Sequence, residues 1–507
     1  MNLPANLGML PPVLAGMLHF WRLLNLWKEY NQCNKADICE QCIQKDLCKA
    51  WFEFVEAHGE YKPYAHFDLR VSLKLLRIQR YVMNPNKIIT HSFYPFIHFQ
   101  RKESRYGKKK RNKTRDLYYC AHLDRCVYQR YAFLINYQYN IWAKEHGINE
   151  VAIAYRDKLG KNNIDFAKDA FTAIQKYSQC LVMVGDFTDF FDKLEHQRLK
   201  AMLCKVLRVP RLPKDYFAIF KNITRFAYWN WKDLVTAANE KICEWGIRTK
   251  LNEKAIIISK EQFNSHKSCI HKNESGKGVP QGSPISAVLA NVYMIEFDEH
   301  VKHYVTEHNG VYMRYSDDFL IVLPYSDSTN IGKFKDWIFQ YVNSQKGMLE
   351  LQEEKTNCYI YKEENVYELN LSEIIPTATK YTTGKLTAIN YLGFLFDGKN
   401  IKIRPKAITK YYYRMRRKVR TIRRSNWVTS KGKPVVPKRL YEIYADDSKA
   451  QHRNQTATNK KADKPKQTFI SYARRANGVL KLNDPEATSV IKNHKRKIAQ
   501  ALKKESF

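Results

Sequence analysis

Val311-Tyr312-Met313-Arg314-Tyr315-Ser316-Asp317-Asp318-Phe319-Leu320-Ile321-Val322-Leu323 decides the reading of this chain. Two apolar runs flank a polar centre at Tyr315 to Asp318, and the second run, Phe319 to Leu323, is aromatic and branched enough for a buried strand. The pattern predicts a hairpin with two adjacent carboxylates at its tip. Carboxylates side by side at the edge of a buried sheet repel each other, and divalent cations, which take oxygen ligands, offset that cost. An Asp-Asp surface turn is the plain alternative, because Asp is a common turn residue. Other stretches must decide between the two.

Leu181-Val182-Met183-Val184-Gly185-Asp186 is an apolar run ending in an acid, followed by a turn and then a helix through Lys193-Leu194-Glu195-His196. Asp186 therefore sits at a strand end, where a side chain can face a cleft. Between this strand and the hairpin lies Gly276-Lys277-Gly278-Val279-Pro280-Gln281-Gly282-Ser283-Pro284, in which Gly and Pro impose a backbone course that lets a ligand approach closely. Ser283 then Pro284 reads as an N-cap and first helical residue. The helix expected from Ile285 to His300 has apolar positions at 285, 288, 289, 292 and 295. Such a loop and helix N-terminus can bind the phosphates or base of a nucleotide. A strand, a helix and an antiparallel hairpin in one sheet would bring Asp186, Asp317 and Asp318 together, as two-metal phosphoryl transfer requires.

The rest of the composition agrees. Lys and Arg number 86 against 50 Asp and Glu in 507 residues, a formal net charge of +36. That imbalance calls for a polyanionic partner. Residues 101–115 hold nine basic groups and one acid, residues 402–439 hold fifteen and none, and Tyr is frequent among them, as in Tyr411-Tyr412-Tyr413-Arg414. Basic groups track phosphates and aromatic faces stack on bases. The first basic run reads as a hairpin with its charged tip near Lys108 to Lys113, suited to a triphosphate or a template backbone. Eleven cysteines, seven of them scattered singly, fit a reducing compartment. Cys33, Cys39, Cys42 and Cys48 have a spacing that could hold zinc, with buried thiols on a helix pair as the more ordinary reading. No window approaches a membrane span, so a soluble cytoplasmic protein is expected.

The order Asp186 with Phe191-Asp192, then Gly-Val-Pro-Gln-Gly-Ser-Pro at 278–284, then Tyr-Ser-Asp-Asp at 315–318, then Lys355, then Tyr391-Leu392-Gly393 resembles the reverse transcriptases. The resemblance runs from about residue 60 to about residue 400. It implies an α+β right-hand polymerase: fingers, a palm with an antiparallel sheet, and a helical thumb, with a helical N-terminal extension and a basic C-terminal region. The expected divisions are 1–60 for the extension and 61–180 for the fingers. They continue with 181–390 for the palm, carrying an insertion at about 205–270, and 391–507 for the thumb and basic region. By position, Asp186, Asp317 and Asp318 are similar to the metal-binding acids, Phe187 lends a backbone carbonyl to the metal, and Lys355 is similar to the group that protonates pyrophosphate. Phe191 matches the gate against a ribose 2′-hydroxyl. Gln281 and Gly282 match the loop beside the incoming base, and Arg115 and Lys108 the triphosphate contacts. Tyr391 and Gly393, with Arg414, Arg416, Arg417 and Lys418, are expected against nucleic acid.

The resemblance further implies two Mg²⁺ ions, with Mn²⁺ as a substitute. The expected partners are dNTPs, a DNA product, and an RNA template or non-coding RNA; a homo-oligomer is left open. Phe93-Tyr94-Pro95-Phe96-Ile97, Tyr155-Arg156 and Tyr472-Ala473-Arg474-Arg475 look like the defence-associated bacterial reverse transcriptases. Group II intron enzymes usually have Ala at the place of Ser316 and often carry nuclease modules, and no His/Cys nuclease cluster follows residue 400. An intron- or retron-type enzyme and a template-independent or protein-primed polymerase are the alternatives. An RNA-binding scaffold with a dead polymerase fold would predict a broken acid set, which this sequence does not have.

Overall fold

A computed structural model describes residues 45–104, 112–156, 159–241, 247–324, 329–344, 350–351, 356–369, 384–428, 432–445 and 468–504. Its centre is a five-stranded antiparallel sheet in the order β6-β7-β3-β8-β9. The strands are β3 (Gln179–Asp186), β6 (Val311–Tyr315), β7 (Asp318–Pro324), β8 (Asn357–Lys362) and β9 (Asn365–Leu369).

The apolar runs are continuous because this sheet is covered on both faces. Side chains alternate along a strand. Leu181 and Met183 of β3, Phe319 and Ile321 of β7, and Cys358 and Ile360 of β8 enter one core. That core also takes in buried residues of the helices His122–Glu145, His196–Leu207, Ser286–Tyr293 and Ile295–Glu307. Cys180 and Val182, Leu320 and Val322, and Tyr359 and Tyr361 enter a second core with helix Asn163–Gln175 and helix Phe469–Leu480. Each fully buried Leu, Ile or Phe contributes about 1.5–3 kcal/mol, and both faces of these strands share in that gain.

The first basic run forms a hairpin as expected, β1 (Phe96–Ser104) with β2 (Asn112–Tyr119). Its tip, Lys108 included, lies outside the described residues. Strands β4 (Ala227–Asn230) and β5 (Ile270–Lys272) come from the stretch expected as a palm insertion, yet they extend this same sheet in the order β2-β1-β4-β5. The parallel pairing of β4 with β1 joins residues far apart in sequence. A third sheet, β10 (Ile389–Tyr391), β11 (Phe394–Phe396) and β12 (Ile401–Ile403), precedes helix Pro405–Arg424. In that helix Ile408, Tyr411, Met415, Val419 and Ile422 form the buried stripe, leaving Arg414, Arg416, Arg417 and Lys418 exposed.

Two local expectations are corrected. The helix expected over 285–300 is two helices, broken at Met294, whose backbone N–H bonds to Asn291 in a tightened turn. Its apolar stripe is buried as expected. Ser283 is not the N-cap: the helix starts at Ser286, and residues 283–285 are spent on the turn leaving Gly282, where the Ser286 hydroxyl donates to the Pro280 carbonyl at 2.8 Å. Of the cysteine group, Cys33, Cys39 and Cys42 lie outside the described residues, and Cys48 is half-buried. No helix among the described residues is long and apolar enough to cross a membrane.

Candidate active site

The β6–β7 hairpin closes through a two-residue loop, Ser316-Asp317, with Tyr315 paired to Asp318. Ser316 has φ +63°, the left-handed first position that suits the strand twist in such a turn. The register of β3 against β7 then sets Asp186 directly opposite Asp318. The chain leaving β3 is tied to the same turn, because the Phe187 N–H donates to the Asp317 carbonyl at 3.1 Å. Phe187 itself is 2 % exposed, its ring packed among Phe190, Phe297 and Phe319. Only its backbone is available to the site.

Asp318 shows what this crowding does. Enclosure by protein, first, and then the Asp317 and Asp186 carboxylates push its pKa up to about 7, although its side chain keeps an open side. Among the described residues no group of three or more His, Cys, Asp or Glu side chains is arranged to hold a metal ion. The acids are thus a mutually repelling set on neighbouring strand ends and not a closed cage. A two-metal centre completed by substrate oxygens and water uses that kind of open arrangement.

Asp186 and Asp317 open into a cavity of about 630 Å³. Arg115 and Asp116 of β2, Phe191, and the Gln281-Gly282 loop line its other sides. The loop is fastened to both neighbours. Val279 N–H donates to the Phe191 carbonyl at 2.9 Å, Gly278 N–H to Leu194 at 2.8 Å, and His196 Nε2 meets the Gly278 carbonyl at 2.8 Å. Tyr118 N–H of β2 donates to the Gln281 carbonyl at 2.8 Å. Gly282, at φ +118°, lets the loop touch β2: a Cβ there would stand 2.4 Å from the Tyr118 carbonyl oxygen.

The structure therefore brings together Asp186, Asp317, Asp318, Arg115, Phe191, Gln281 and Gly282. Lys355 and Lys108 lie outside the described residues. Tyr391 is 2 % exposed, so a nucleic-acid contact through its ring is closed off by packing. Gly393, at φ +92°, is half-buried in the adjoining turn. Two further acids, Asp189 and Asp192, line the cavity, and burial, followed by Asp189 and Asp116, raises the Asp192 pKa.

Sequence reading missed the support beneath the turn. Arg314 and Asp298 are both fully buried and joined at 2.6 Å and 2.8 Å. The Arg314 Nη1 also donates to the Ser316 carbonyl at 2.9 Å and to Asn291 Oδ1 at 3.3 Å, while Tyr312 donates to Asp298 at 2.9 Å. This network holds the backbone of the acid-bearing loop from inside the core. The only available signal was a charged residue within an otherwise apolar strand.

Comparison with known proteins assigns the family. The reverse transcriptase (RNA-dependent DNA polymerase) family matches residues 106–396. The chain belongs to this family. It is an RNA-directed DNA polymerase, a nucleotidyltransferase, by that membership. Among solved structures, telomerase from Candida albicans in complex with a fragment of telomeric RNA aligns at 12% identity and TM-score 0.35, over 91% of this chain and 68% of that one. Apo telomerase from Candida tropicalis aligns at 11% and 0.32, over 98% and 87%. Its form truncated from the C-terminal domain aligns at 10% and 0.33, over 63% and 58%. At such scores these alignments support nothing further, and the assignment of this reverse transcriptase rests on the family match. No curated protein matches the chain.

Proposed function

We propose that this reverse transcriptase copies RNA into DNA with two Mg²⁺ ions at Asp186, Asp317 and Asp318, working with a dedicated non-coding RNA in bacterial anti-phage defence. The observation that carries the chemistry is the register pairing of Asp186 with Asp318, with Asp317 in the adjoining turn beside a cavity walled by Arg115. The cation fit rests on carboxylates set on facing strand ends and in the adjoining turn, acceptor oxygens that a hard cation would take as ligands. When bound, the ions would lower the pKa of the attacking 3′-hydroxyl and neutralise charge on the triphosphate. The three acids and the Phe187 carbonyl would hold them. Arg115 fixes the triphosphate by charge-assisted hydrogen bonds, Phe191 stands against the sugar, the Gln281-Gly282 loop borders the base, and Lys355 supplies a proton to pyrophosphate. The exposed Arg414, Arg416, Arg417 and Lys418 track a phosphate backbone.

The defence role rests on the residue resemblances at 93–97, 155–156 and 472–475. Sequencing the RNA and DNA that copurify with the protein tests the dedicated partner; a random cellular population would remove it. Phage challenge of a host carrying the wild-type chain or Asp317→Ala tests the role, and equal protection would remove that.

Phe191→Ala opens the sugar side of the cavity and should raise ribonucleotide use relative to deoxynucleotide use by about tenfold or more, the scale of one steric contact of about 1.4 kcal/mol. Unchanged discrimination in single-nucleotide incorporation would unseat Phe191. Cation binding should depend on pH in a stated direction. A protonated carboxyl is a poor ligand, so proton and cation compete. With Asp318 at about 7 in the cation-free protein, Mg²⁺ affinity should climb as pH rises towards and through that value. The slope should reach up to about tenfold per pH unit on the acid side. Titrations of Mg²⁺ across that range that give a constant affinity would refute it.

A further inference from the structure

We propose that Tyr155 contacts the end of the nucleic-acid duplex at the reacting centre, its hydroxyl donating to the minor-groove acceptor of the primer-terminal base. The inference rests on the polymerase reading above and names a contact that reading does not contain.

Tyr155 is held in an uncommon conformation, φ +61°, which is strained for a bulky side chain. The segment before it is fixed. Ala152 bridges Arg314 in parallel, the Arg314 N–H donates to Val151 at 2.8 Å and the Ile153 N–H to Arg314 at 3.0 Å, and Asn291 Nδ2 donates to the Ala154 carbonyl at 2.9 Å. Behind it, the Arg156 guanidinium is anchored on Asn140 and Asn149. All this holds an aromatic ring that is not buried: Tyr155 is 45% exposed, lines the cavity, and donates its hydroxyl to Ser316 Oγ at 3.3 Å. Strained, anchored and exposed together describe a residue kept for a ligand rather than for packing.

The ligand edge follows from charge and chemistry. Among the described residues that line the cavity, the cation is Arg115, on β2, while Tyr155 stands with Ser316 and Asp317. Phosphate belongs with Arg115; a neutral acceptor belongs with the phenol. A polymerase must accept every base pair, so a fixed donor must meet a feature that pairs share, and the minor-groove edge presents such acceptors. If Ser316 turns its own proton onto the phenol oxygen, the phenol proton is released towards the base. Ser316 is kept in place for this by the Arg314 bond to its carbonyl.

The test compares DNA primers ending in guanine or in 3-deazaguanine, which lacks the minor-groove acceptor nitrogen, on one RNA template. Wild-type protein should extend the 3-deazaguanine primer about tenfold more slowly, the upper range for one neutral hydrogen bond. Tyr155→Phe should be slow on both and extend them within about twofold of each other. Equal extension of both primers by wild type, or a wild-type ratio retained in Tyr155→Phe, overturns the proposal. Thermal unfolding checks that Tyr155→Phe is folded. Should it not be, Tyr155→Leu is read in the same way: loss of the ratio supports the contact, and a wild-type ratio retained overturns it. Wild-type protein inert on the guanine primer would overturn the polymerase reading along with this contact.

Discussion

Asp317→Asn should lose deoxynucleotide incorporation by on the order of a thousandfold while leaving the protein as stable as wild type, or more so. The loss follows from the several kcal/mol of charge stabilisation that a bound ion supplies, at 1.36 kcal/mol per decade. The stability follows from the register. Asp186, Asp317 and Asp318 repel one another where protein partly encloses them, and enclosure first, then that repulsion, pushes Asp318 up to about 7. Neutralising one member relieves the other two. Without cation the Asn variant should therefore unfold at a temperature equal to or above that of wild type, and added Mg²⁺ should raise the wild type but not the variant. Calorimetry with and without Mg²⁺, beside primer extension, reads both halves. Full activity in Asp317→Asn would remove the acid from the site, and a large drop in unfolding temperature would show that it serves the fold.

Asp298→Ala should destabilise the protein by about 3–5 kcal/mol, the cost of leaving one partner of a buried ion pair alone. Arg314 and Asp298 are wholly buried, and Tyr312 shares the carboxylate. Replacing both charges, Arg314→Met with Asp298→Leu, should recover most of that stability, because a buried pair is often matched by apolar residues of similar volume. It should not recover incorporation, since the Arg314 bond to the Ser316 carbonyl is lost with it. Denaturant midpoints of the single and double variants, each paired with an extension assay, separate the two effects. A double variant that polymerises like wild type would confine the pair to packing.

Much of the site could be read along the chain because the relevant rules are local. Continuous apolar runs marked β3 and β7 as buried strands, a strand ending in an acid placed Asp186, and a short polar centre between apolar runs placed Asp317 and Asp318 at a turn. The Gly-Pro loop was expected to let a ligand approach closely; the close neighbour that the structure places there is the β2 backbone, Gly282 against Tyr118. Local rules also misled where neighbours took over. Ser283 followed by Pro284 has the composition of a helix start, but the turn out of Gly282 used both residues. Tyr391, expected against nucleic acid from the family resemblance, has its ring enclosed in the second core.

By itself the sequence determined the elements, which acids stand at a strand end and at a turn and beside which loop, and the resemblance that the family match bears out. The tertiary structure decided how those acids are held. Arg314 meets Asp298, Tyr155 meets Ser316, and β4 joins β1 across long separations. No periodicity or spacing encodes such pairs, because each depends on which surfaces the packed sheets and helices bring within hydrogen-bonding distance.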